Sequence, residues 1–172
     1  MNGGPKIRVR VIGCGNRDAG DDAAGLFAVA GARAKLAGTP GVEVVEAGPG
    51  LHVLDLIEGV ETVVVVDAVR TKGGARSPGT IVRVQAGEPF PPALSSALSS
   101  HEFGLAETIG LAAELGRVAN VAFLGVEVGD VRAGAPLSEP VAAAVPALTE
   151  MVVAEVASVI EHVDAPSGGD GG

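Results

Sequence analysis

Runs of β-branched residues alternate with Ala-rich stretches along most of this chain, and that alternation predicts strands and helices in turn. Ile7 to Ile12 (IRVRVI) reads as a strand stopped by Gly13. After the loop Gly13 to Asp21, the segment Asp22 to Leu36 is Ala-rich and predicts a helix. Paired aspartates mark its start and suit both a cap and the positive end of the helix dipole. Gly38-Thr39-Pro40-Gly41 breaks this helix, Val42 to Glu46 is a second strand, and Gly48-Pro49-Gly50 turns into a helix near Leu51 to Ile57. Thr62 to Asp67 (TVVVVD) is the strongest strand signal. Four consecutive valines bury both faces, as a central parallel strand does.

Thr80 to Val84 alternates apolar and polar positions, which predicts an edge strand, antiparallel to its neighbour. Ser99 and Glu102 have the spacing of a capping box before an amphipathic helix from Phe103 to Leu115. Val121 to Val126 is a further strand, and Val141 to Ile160 a long last helix with Pro146 near its first turns. The order β-α-β-α-β-β-α-β-α predicts an α/β three-layer sandwich with a mostly parallel sheet and helices on both faces. Residues 1–163 are expected to form a single domain, and the polar, Gly-rich residues 164–172 a disordered tail.

Composition narrows the picture. Of the 172 residues, 47% are hydrophobic but only 2% aromatic, so the core must be aliphatic. A formal charge of −9 repels phosphate backbones, and no nucleic-acid partner is expected. The lone Cys14 allows neither an intrachain disulfide nor a four-cysteine zinc site, and it reads as a small packed residue between two glycines. The N-terminus lacks the pattern of a signal peptide, and no apolar stretch approaches the roughly 20 residues of a membrane helix. A cytoplasmic protein without membrane contact is expected.

In open parallel sheets, ligands collect at the carboxyl ends of the strands. The first strand ends in Gly13-Cys14-Gly15-Asn16, followed by Asp21 and Asp22, and the valine strand ends in Asp67. His101 stands before a later helix. Two carboxylates and an imidazole with open positions suit a divalent transition metal, such as nickel or zinc, better than calcium or magnesium. Each has a plainer reading. Asp22 reads equally as a first-turn helix acid, and His101 alone as a cap-region histidine. Asp67 is harder to dismiss, because an acid after four buried valines costs desolvation unless paired or bound. His52 and His162 read as structural or solvated, and Arg70, Lys72 and Arg76 as solvated loop charges or as contacts for an acidic substrate segment.

Other chemistries lack their motifs. Asp18 stands where a dinucleotide fingerprint needs its third glycine, and no Gly-Lys pair exists for a Walker loop. Leu105 stands where a zincin helix needs its second histidine. No Gly-x-Ser-x-Gly elbow, Asp-Thr-Gly or Asp-Ser-Gly occurs.

Gly13-Cys14-Gly15-Asn16 with Asp21-Asp22-Ala23-Ala24-Gly25 resembles the N-terminal signature of the NiFe-hydrogenase maturation endopeptidases. Thr62 to Ala68 (TVVVVDA), Ser100-His101-Glu102-Phe103-Gly104-Leu105 and Leu124-Gly125-Val126-Glu127 resemble later segments of that family, in order, between about Ile7 and Ile160. The resemblance implies a twisted five-stranded sheet between helices. It implies a peptidase, of the class grouped with aspartic-type enzymes, that clips a C-terminal extension from a hydrogenase large-subunit precursor after nickel insertion. It also implies that Asp22, Asp67 and His101 recognise nickel delivered by the substrate rather than held as a resident cofactor, with Asp67 or Asp22 as candidate catalytic acids. The chain departs from the pattern twice: Asp22 stands where Glu is common, and Glu46-Ala47-Gly48-Pro49-Gly50 replaces a Gly-Gly-Thr turn. A monomer is expected. The rival readings on this fold are a non-proteolytic nucleotide- or metal-binding module, with Glu46 against a ribose, and an escort that binds the precursor without cutting it.

Overall fold

The computed structural model describes residues 6–48, 53–85, 88 and 120–164. The β-branched runs form five strands: β1 (Val9–Cys14), β2 (Val42–Ala47), β3 (Thr62–Val69), β4 (Ile81–Val84) and β5 (Asn120–Glu127). They lie in the order β2-β1-β3-β5-β4. The first three and β5 are mutually parallel, and β4 runs antiparallel along β5. The mostly parallel sheet with an antiparallel edge strand matches the sequence pattern.

The period-2 geometry of a strand sorts side chains into two cores. Val9, Val11, Val64, Val66 and Leu124 face α1 (Ala24–Leu36) and α3 (Glu139–Asp164). Ile12, Val63, Val65 and Phe123 face the other way, where Ile57 of the short α2 (Val53–Ile57) covers them. Every position of β3 is buried, which is why this strand shows no alternation. Each fully buried valine contributes roughly 1.5–3 kcal/mol.

Several expectations shift at the element ends. The helix expected from Asp22 starts at Ala24, behind a 3-10 turn over Gly20–Ala23. β3 continues two residues past Asp67, because Asp67, Ala68 and Val69 still pair with Gly125, Val126 and Glu127 of β5. The expectation that no segment reaches membrane-spanning length is corrected: Glu139–Glu161 of α3 is long and apolar enough, with a mean hydropathy of 1.7. Its apolar character has a use in this fold, since Val141, Leu148, Val152 and Val156 are fully buried against the sheet and α1. The expected helix from Phe103 to Leu115, with its capping box, lies outside the described residues; of the expected tail 164–172, Asp164 ends α3 and the rest lies outside the described residues.

The strand order creates a crevice. From β1 the chain crosses through α1 to β2 on one side, then returns through α2 to β3 on the other. β1 and β3 are therefore neighbours whose outgoing segments diverge, and such switch points hold ligands at the carboxyl edge. Close approach of α1 to this edge depends on Gly25. A Cβ there would stand 2.7 Å from the carbonyl oxygens of both Cys14 and Val66. Backbone cannot yield as a side-chain tip does, so Gly25→Ala is expected to lose about 2 kcal/mol or more. A lower urea midpoint would show it; an unchanged midpoint would refute this account of the packing.

Candidate functional site

The carboxyl ends of β1 and β3 bring Cys14, Asp22 and Asp67 together. Asp67 is 6% exposed, and its Oδ1 accepts the N–H of Ala68 at 2.8 Å. Burial, and then the charge of Asp22, push the Asp67 carboxyl up to about 8. Asp22 is half-buried, and burial raises its carboxyl while the Asn16 N–H, donated to Oδ2 at 2.8 Å, opposes the rise. The loop reaches this geometry through Gly15, whose φ of +136° and position against the Asp22 carbonyl exclude a side chain. Near neutral pH the pair therefore keeps a proton on Asp67, as expected of two acids sharing one site.

The plain packing role expected of Cys14 is only half of what is found. The thiol is buried, but both carboxylates lie near enough to act on it: burial, Asp67 and Asp22, in that order, push its proton affinity up. The sequence could not show this, because Cys14 and Asp67 meet only once β1 and β3 are neighbours. His101 and His52 lie outside the described residues, as does the side chain of His162. Among the described residues, no group of three or more His, Cys, Asp or Glu side chains is arranged to hold a metal ion.

The paired aspartates divide their labour, which corrects their reading as helix-capping acids. The 3-10 turn has no side-chain cap. Asp21 is fully buried and reaches across to the segment before α3. Its Oδ1 accepts the Ser138 N–H at 2.6 Å, and its Oδ2 accepts the N–H groups of Gly129 (3.0 Å) and Asp130 (2.9 Å) and the Ser138 hydroxyl (2.9 Å). Burial alone would raise its carboxyl; the Ser138, Asp130 and Gly129 donors outweigh burial and hold it below the usual range. Asp21 braces the loop, leaving Asp22 as the acid of the crevice. No sequence signal separates the two, because the donors lie 108–117 residues away.

Glu127 plays a comparable part at the end of β5. It is 2% exposed, and its carboxylate accepts the Thr71 N–H (2.7 Å) and hydroxyl (2.6 Å). Arg76 in turn donates to Thr71 Oγ1 at 3.0 Å. The segment leaving β3 is thereby fastened beside the crevice.

The first loop is not shaped as a phosphate cradle. The N–H of Asn16 goes to Asp22, that of Asp18 to Asn16 Oδ1, that of Ala19 to Asn16 O, that of Asp21 to Asp130 O, and that of Asp22 to Ala19 O. Phosphate binding there needs free donors. Glu46, the candidate ribose acceptor, pairs instead with Arg17 at 2.6 Å and Arg33 at 3.1 Å.

Known proteins agree with this architecture. No curated protein matches the chain. Among solved structures, a solution structure of an endopeptidase from Escherichia coli is similar at 25% identity and a TM-score of 0.73, covering 88% of this chain and 93% of that one. The [NiFe] hydrogenase maturation protease HybD from Thermococcus kodakarensis is similar at 28% identity and a TM-score of 0.65, covering 84% and 96%. The hydrogenase maturating endopeptidase HybD from E. coli shares the fold at 24% identity and a TM-score of 0.71, covering 88% and 93%. The family model for hydrogenase maturation protease (HycI) matches residues 30–155, a stretch that includes Asp67 and His101 and begins after the first loop. With the parallel sheet and its acidic crevice in place, that match makes the chain a member of the hydrogenase maturation protease family, a family of peptidases.

Proposed function

We propose that this chain is an endopeptidase that removes a C-terminal extension from a NiFe-hydrogenase large-subunit precursor, after nickel insertion and in response to the nickel. The observation that carries the reading is the buried Asp67 carboxyl facing Asp22 across the β1–β3 crevice. Two acids from separate segments, one keeping its proton because of burial and its neighbour's charge, form a natural receiver for a divalent metal brought by a substrate. Such a cation stabilises both carboxylates as anions and displaces the proton. His101, which the family resemblance adds as the third donor, brings an imidazole suited to nickel. Nickel here is part of the substrate, and the protein is at work in the cytoplasm as a monomer.

Seating the metal against Asp22 and Asp67 fixes the neighbouring peptide bond relative to the carboxylates. Orientation of this kind lowers a barrier by as much as roughly 7–11 kcal/mol in intramolecular systems. Half-buried Asp22 is the acid nearer solvent and the one placed to take a proton from an attacking water. That assignment gives the aspartic-type label a concrete meaning in this chain.

Incubation with nickel-loaded and nickel-free precursor tests the reading. Mass spectrometry should show the precursor shortened at its C-terminus in the loaded sample alone. Equal shortening of both would remove nickel from the account. Binding without shortening of either would favour the escort.

A further inference from the structure

Two arginines stand apart from the other basic residues. Lys6, Arg8, Arg10, Arg17, Arg33, Lys35, Arg83 and Arg132 each form an ion pair with a carboxylate. Arg70 and Arg76 instead donate to neutral oxygens: Arg70 Nη2 to the Gly129 carbonyl at 3.0 Å, and Arg76 Nη1 to the Thr71 hydroxyl at 3.0 Å. Each guanidinium spends one N–H on this tether and keeps the rest of its fork, the geometry that grips a carboxylate through two bonds. The acids around them are already engaged. Asp130 feels the Arg70 charge, but both its oxygens are held by Arg132. Glu127 is buried and bound by Thr71, which stands between it and Arg76.

The segment carrying them is fixed rather than loose. Thr71 is 4% exposed and donates two hydrogen bonds to the Glu127 carboxylate; the Gly79 N–H meets the Glu127 carbonyl at 2.8 Å, and Pro78 lies against Gly129. It also borders the crevice. Gly129 receives Arg70 on its carbonyl and gives its N–H to Asp21, the neighbour of Asp22. Arg70 itself follows Asp67 by three residues, about 10 Å of extended chain.

We propose that Arg70 and Arg76 form a receiving rim for a carboxylate of the precursor's C-terminal segment, about three residues of extended peptide from the scissile bond. This rests on the peptidase reading above. The carboxylate comes either from the segment's chain terminus or from an acidic side chain within it. The rim positions the substrate and sets specificity; it does not touch the reacting atoms.

Steady-state cleavage of nickel-loaded precursor by the full chain tests the rim. Arg70→Gln and Arg76→Gln should each raise KM about tenfold, the loss of one charge-assisted pair, with kcat little changed. Arg70→Lys and Arg76→Lys should recover part of the loss. The wild-type KM should climb with salt, and that of the double Gln variant should stay nearly flat. A merely structural role for these arginines would not produce the salt contrast. Precursor amidated at its C-terminus, and precursor with its acidic residues in the extension changed to Asn or Gln, tell the two sources apart; whichever raises the wild-type KM identifies the carboxylate. An active wild type with a salt-independent KM, or with KM unmoved by both precursor changes, overturns the rim and leaves the peptidase reading standing. A wild type that cleaves nothing overturns that reading and the rim with it.

Discussion

Asp67→Asn is expected to abolish precursor cleavage while making the protein more stable at neutral pH. The activity loss follows from removing an anionic donor from the crevice. The stability gain follows from linkage. Unfolded, Asp67 ionises near pH 3.9, roughly the ordinary value for aspartate; folded, it ionises at about 8. Between those values the fold holds a proton that the unfolded chain releases, so rising pH favours unfolding. Below about pH 4 both states are protonated and the penalty vanishes. Above the folded value it is fully present. Asn never ionises and escapes it, for a gain of about 2–4 kcal/mol at pH 7, a Tm rise of roughly 4–16 °C for a chain of this size. Thermal melts from pH 4 to 8 should show variant and wild type converging at the acid end. Parallel curves, or retained cleavage, would contradict the site.

Asp21→Ala is expected to do the opposite to the fold. It leaves four part-buried donors, three backbone N–H groups and the Ser138 hydroxyl, without their acceptor. Bonds to a charged acceptor contribute roughly 1.5–3 kcal/mol each and overlap when they share one carboxylate, so a net loss of about 4 kcal/mol is expected. Because the folded carboxyl is held below its ordinary value, its contribution is fully present above the unfolded value. It fades as pH falls through the folded one. Urea unfolding at pH 7 should show the full deficit, and at pH 2 most of it should be gone. A deficit that does not change with pH would mean that the carboxylate is not the acceptor that matters.

The two neighbouring acids also show where sequence reading stops. The α/β sandwich was legible because Val63 to Val66 can be apolar throughout only in a strand covered on both faces, and because Ile81–Val84 alternates as an edge does. Asp67 was legible from its place after that run. What was not legible depends on strand order and long-range contact. Nothing local says that β3 returns to the far side of β1, although that return puts Asp67 beside Cys14 and Asp22. Asp21 and Asp22 are chemically identical and adjacent, and a residue more than a hundred positions away decides which of them braces the loop and which is left at the crevice. Glu127 was visible only as part of a strand, because its partner Thr71 lies 56 positions back.

The Asp21 brace carries a consequence for how the protein is made. The first loop leaves the ribosome ahead of Ser138, which locks it and follows 117 residues later. At about 5–20 residues per second, that interval is roughly 6–23 seconds. Through it the strand bearing Asp67 can already lie beside β1 while the loop bearing Asp22 has no fixed place. A nascent or truncated chain is therefore a sheet without a finished crevice. The crevice is completed only when the segment that opens α3 has arrived.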